Sequence, residues 1–99
     1  MKKTGNIDKI LIFESGDMIQ IEGFPVLIEF TGAGTATLDN DRVLSDASFY
    51  ITVNGERSGV TIENLDGRSS PAKLGDFKFT LDFADGYSKT CGLIVSKAE

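Results

Sequence analysis

Cys91 is the single thiol of a chain that has no histidine at all. Those two facts remove most covalent chemistry. A Ser-His-Asp or Cys-His nucleophile needs an imidazole base. A zinc site built from His and Cys needs more than one such ligand. Cys91 sits in the apolar run Thr90 to Val95, which predicts a buried, inert thiol and no internal disulfide. Fifteen Asp and Glu residues offer carboxylate pairs for acid–base work, yet no nucleophile, base and orienting group stand together in sequence. Asp39, Asn40, Asp41 and Asp46 are oxygen ligands of the kind calcium takes. Their spacing lacks the glycine of an EF-hand loop, and Asp and Asn are ordinary turn residues. Gly32-Ala33-Gly34 begins no helix, so it is no phosphate-binding loop. The expectation is a protein without catalytic residues, metal or cofactor.

The elements that must position these residues read as strands. Phe77, Phe79, Leu81 and Phe83 alternate with Lys78, Thr80 and Asp82. That period of two means one buried and one wet face. The chain then turns near Asp85-Gly86 and runs back from Tyr87 to Val95. A two-residue loop would send Cys91, Leu93 and Val95 to the face of Lys78. A three-residue loop, Ala84-Asp85-Gly86, pairs Phe83 with Tyr87, Phe79 with Cys91 and Phe77 with Leu93. The shared apolar face favours the second register.

Earlier in the chain, 1–6 reads as a polar arm. Ile7 to Glu14 is apolar on both faces, with Ile10 and Ile12 on one and Leu11 and Phe13 on the other. Met18 to Glu22 and Val26 to Thr31 follow as strands, broken by Gly23-Phe24-Pro25. Gly32 to Gly34 reads as a bend, Thr35 to Leu38 as a short strand and Arg42 to Asp46 as a linking stretch. Ser48 to Val53 and Arg57 to Asn64 flank Asn54-Gly55, the strongest hairpin signal present. That turn sets Phe49 against Val60, Tyr50 against Gly59 and Ile51 against Ser58. Asp66 to Gly75 reads as a loop. Seven to eight short strands without a helical period predict an all-β chain in one domain, an antiparallel β-sandwich or small barrel over 1–99.

Charge and composition narrow the function classes. The net charge is −5, and the ten basic residues are scattered, which disfavours nucleic acid as a partner. No apolar run is long enough to span a membrane. Met1-Lys2-Lys3 is followed by Thr4-Gly5-Asn6 and no apolar stretch, so a cytoplasmic site of synthesis is expected. Leu11 and Phe13, on a strand apolar on both sides, are candidate partner-binding residues, as is Phe24 in its loop.

The stretch Ile28 to Leu38 (IEFTGAGTATL) resembles a segment of small β-sandwich proteins of tailed bacteriophages. These include capsid-decorating, head-fibre and tail-associated modules with immunoglobulin-like or jelly-roll folds. Phe79 to Gly86 (FTLDFADG) is similar to the last hairpin of many immunoglobulin-like modules, although the cysteines and tryptophan of antibody domains are absent. The resemblance implies a non-catalytic virion component, made in the host cytoplasm and carried out in the particle. Its partners would be capsid or other virion subunits and further copies of itself. A second expectation is a small acidic intracellular inhibitor that meets a basic groove on a host enzyme. A sugar-binding module is a third, held back by the absence of Trp.

Overall fold

Alternation decides the inner face of most strands in the structure, a computed structural model that describes residues 2–39, 41–66 and 68–98. Among these residues all regular structure is β. Numbered along the chain, six strands form one sheet: β1 (Lys2–Gly5), β3 (Met18–Ile21), β4 (Val26–Thr37), β5 (Val43–Val53), β6 (Glu56–Leu65) and β7 (Arg68–Ser70), in the order β1-β3-β4-β5-β6-β7. Four form the other: β2 (Ile10–Glu14), β8 (Ala72–Leu74), β9 (Phe77–Asp85) and β10 (Thr90–Lys97), in the order β2-β10-β9-β8. All pairings are antiparallel except β1 with β3, which is parallel.

One core lies between the sheets. Ile19, Ile21, Val26, Ile28, Phe30, Phe49 and Ile51 reach it from the larger sheet. Leu11, Phe13, Phe77, Phe79, Leu81, Leu93 and Val95 reach it from the smaller. At its centre Phe13 meets Phe30 and Phe49, with ring centroids 6.1 and 5.6 Å away. Tilted and edge-on contacts of this kind add to the apolar burial that drives folding.

The middle hairpin follows its turn signal. Asn54 and Gly55 both take positive φ, 52° and 83°, as a type I′ turn demands. Phe49 pairs with Val60, Tyr50 with Gly59 and Ile51 with Ser58, as the sequence predicts.

Four expectations are corrected. Residues 2–5 of the polar arm form β1. Gly5 permits this, because a Cβ there would lie 2.5 Å from a Leu11 methyl and 2.9 Å from one of Ile19. Lys3 Nζ then reaches the buried Asp17 carboxylate at 2.8 Å. Second, Gly32 to Gly34 is no bend. β4 runs through it to Thr37, paired with a β5 that already begins at Val43. Third, the loop from Asp66 to Gly75 contains β7 and β8. Their three-residue strands are too short to show a period, so the described residues hold ten strands where seven to eight are expected.

The fourth correction is the register of the last hairpin. Phe79 pairs with Val95, Leu81 with Leu93, Phe83 with Gly92 and Asp85 with Thr90. The loop is Gly86 to Lys89, with Lys89 left-handed at φ 57°. Asp85 Oδ1 accepts the N–H of Tyr87 at 2.9 Å and holds the turn. A bulge leaves Asp82 without a partner on β10. Past it the alternation inverts: Phe77, Phe79 and Leu81 face the core, and Phe83 faces outward.

Candidate interaction face

The bulge that turns Phe83 outward is built from the opposite sheet. Asn64, buried at the end of β6, donates from Nδ2 to the carbonyls of Leu81 (2.9 Å) and Asp82 (3.3 Å). Ser69 Oγ on β7 accepts the N–H of Leu81 at 3.0 Å. A buried Asn needs such partners, and an irregular strand needs its backbone groups satisfied. Each supplies the other.

Phe83 then lies over Gly92. A Cβ on Gly92 would stand 2.5 Å from the Phe83 ring and 3.4 Å from Ile10. Only glycine lets the ring settle there, and an aromatic over a glycine restores part of the packing that glycine lacks. Ile10 and Ile12 flank this contact on the neighbouring edge strand β2 and are 52% and 50% exposed. Phe83 is 39% exposed, and Ile94 is half-buried beside them. Together they make an apolar strip on the outer face of the smaller sheet. The strip runs along the β2 side. Towards β8 the same face becomes polar, where Lys78 stands between Lys73 and Ser96.

The three residues expected to bind partners lie elsewhere. Leu11 and Phe13 point into the core, with 6% and 0% exposure. The two-faced strand is resolved in favour of Ile10 and Ile12 as its outer pair, because Phe13 completes the aromatic cluster with Phe30 and Phe49. Phe24 is half-buried. Its ring stands edge-on to Phe77 at 5.7 Å, with Lys97 Nζ 5.2 Å from its centroid. Gln20 Nε2 anchors that turn by donating to the carbonyls of Phe24 and Val26. Phe24 is therefore a plug at one end of the core.

No sequence signal marked Phe83 as a surface residue, since its alternation with Leu81 argues the reverse. Gly92 inside an apolar run was the one hint of a close approach. Tyr87 is 90% exposed at the hairpin tip, and the pair with Phe83 that a three-residue loop predicts does not form.

Three carboxylates have structural partners that shift them. Lys3 and the Glu14 N–H hold the Asp17 carboxyl below its ordinary range. Arg42 and the Val43 N–H do the same for Asp66, and the Tyr87 N–H for Asp85. Cys91 is fully buried, and burial pushes its thiol up to about 12. Of the acidic loop, Asp39 and Asp41 are exposed, Asp46 lies in β5 opposite Gly34, and Asn40 is outside the described residues. Among the described residues no group of three or more His, Cys, Asp or Glu is placed to hold a metal ion.

Comparison with known proteins adds no relative: no family model, no curated protein and no solved structure matches the chain.

Proposed function

We propose that this protein is a non-catalytic structural and binding module of a larger assembly, a decorating or head- or tail-associated accessory of a tailed bacteriophage particle. Its fold in this reading is an immunoglobulin-like or jelly-roll β-sandwich. The observation that carries the reading is the apolar strip of Ile10, Ile12, Phe83 and Ile94. Its three exposed members form a contiguous group on a sheet face, whereas surface apolar residues normally lie scattered. Gly92 and the Asn64-pinned bulge are both arranged to present it. A surface kept apolar at this structural effort is suited to contact with protein.

The inhibitor reading has less support. The exposed acids, among them Glu14, Glu22, Asp39, Glu56, Glu63 and Asp82, are spread over both sheets and the loops and form no single dense run along the chain. The deciding experiment is mass spectrometry of density-purified virions from the source host. The chain should be present in a fixed copy number relative to the capsid subunit. Its absence from intact particles, with abundant free protein in the same lysate, would refute the virion reading. A complex with a host enzyme that dissolves steeply with salt would then favour the inhibitor.

A further inference from the structure

We infer that the outer edge of β2 is a self-complementary pairing site that joins two copies of this chain about a two-fold axis. The inference rests on the assembly reading above and names its partner.

A sheet edge offers unpaired N–H and C=O groups, and proteins normally blunt it with short strands, charges or proline. Of the four edges here, three carry such devices. β1 carries Lys2 and Lys3; β7 is three residues with Arg68; β8 is three residues with Lys73 and follows Pro71. The middle of β2 reads Ile10-Leu11-Ile12-Phe13 and carries none. It is also the edge along which the apolar strip runs.

The open stretch has defined ends. The Asp8 N–H is bonded to the Val95 carbonyl, and Asp8 is left-handed at φ 62°. At the other end the Glu14 N–H is bonded to Asp17 Oδ2, and the Glu14 carbonyl accepts the Asp17 N–H. Alternate residues of an edge strand point their backbone groups outward, and Glu14 is one of them, so the open groups between these ends are those of Ile10 and Ile12, whose midpoint is Leu11. Opposite residues in an antiparallel pair share a face, so a two-fold relating two such strands must pass through a residue, not between two. Leu11 meets that condition. Pairing about it uses the whole open stretch of both copies. It sets Ile10 of each copy against Ile12 of the other on the outer face. The two apolar strips then become one, across a sheet of eight strands, twice the four of each copy. An isologous contact of this kind closes on itself and does not propagate.

The test is analytical ultracentrifugation of the full chain from low micromolar to about 1 mM, with Ile12→Lys beside it. The mass should rise with concentration from 10.7 kDa towards twice that value. Ile12→Lys should keep the circular dichroism spectrum and raise the dissociation constant at least about a hundredfold, because both copies place a charge in the apolar strip. Hydrogen exchange on the unsubstituted protein supplies a second readout. Amides of Ile10 and Ile12, which point to the open edge, should gain protection as concentration rises, and those of β1 and β8 should not. A monomer throughout the range would overturn the inference. So would a dimer that Ile12→Lys leaves intact. β2 amides protected only when purified virions are added would also overturn it, by placing a foreign strand at this edge, while leaving the assembly reading in force.

Discussion

Replacing Asn64 tests whether the bulge in β9 is held from the opposite sheet. Asn64→Ala deletes donors to the Leu81 carbonyl at 2.9 Å and the Asp82 carbonyl at 3.3 Å. The two losses are unequal. Asp82 is exposed and its bond is long, so water replaces it at little cost. Leu81 is 1% exposed, and its carbonyl has no such substitute. Losing a neutral hydrogen bond costs about 1 kcal/mol, and stranding a buried acceptor costs about 1–3. The stranded acceptor sets the outcome, so the expected loss is about 1–3 kcal/mol, a large share of the roughly 5–15 kcal/mol that holds a small domain together. Asn64→Leu keeps the volume and removes the donors, so it separates the hydrogen bonds from any cavity. Equilibrium urea unfolding measures both variants, and hydrogen exchange at Asp82 and Phe83 reports the bulge. If both variants lose less than about 0.5 kcal/mol, water or a relaxed strand satisfies those carbonyls, and the argument that Asn64 pins the bulge is wrong.

The assignment of faces on β2 predicts opposite outcomes for adjacent residues. Phe13→Ala should cost about 3–5 kcal/mol in urea unfolding, whereas Ile12→Ser, at a half-exposed site, should cost under about 1; equal losses would refute the assignment. Asp17 should set part of the acid limb. Its folded pKa is depressed by Lys3 and the Glu14 N–H, so its stabilisation is present above the ordinary value of 3.8 and is lost as pH falls through the depressed value. Lys3, raised above 10.5 by the Asp17 hydrogen bond, contributes below that value and loses its contribution as pH rises through the raised one. Asp17→Asn should be less stable at pH 7 and show a flatter decline in acid; a decline as steep as that of the unsubstituted chain would assign the acid limb to other carboxylates. Cys91, with its thiol pushed up to about 12, should resist iodoacetamide at pH 8 while folded and react at the rate of a free thiol in urea. Rapid labelling of the native protein would show that the thiol is reached through local opening.

How far the sequence reads through to the fold depends on where each signal is stored. The Asn54-Gly55 hairpin was legible down to the register, because its turn type is set by the two residues that form it. The inner faces of β3 and of the first half of β4 were legible because burial on one side leaves a period of two. Gly5 looked like part of a polar arm. Its role depends on close packing against Leu11 and Ile19, which no pattern along the chain records. The strands β7 and β8 were invisible for a related reason: a strand of three residues that borrows its neighbours' ladder needs no pattern of its own.

The candidate face was the least legible part, and the reason is a single inserted residue. Alternation is a phase, and a bulge resets it without any mark in the apolar pattern. Phe77, Phe79, Leu81 and Phe83 read as one face, yet the chain crosses the bulge at Asp82 before reaching Phe83. The information that moves the phase sits on Asn64 and Ser69, in the opposite sheet. The information that receives the displaced ring sits at Gly92 on the next strand. Neither residue announces itself alone, since a polar Asn near a strand end and a Gly in an apolar run each have ordinary explanations. Their joint effect is to move one phenylalanine from the core to the surface beside Ile10 and Ile12.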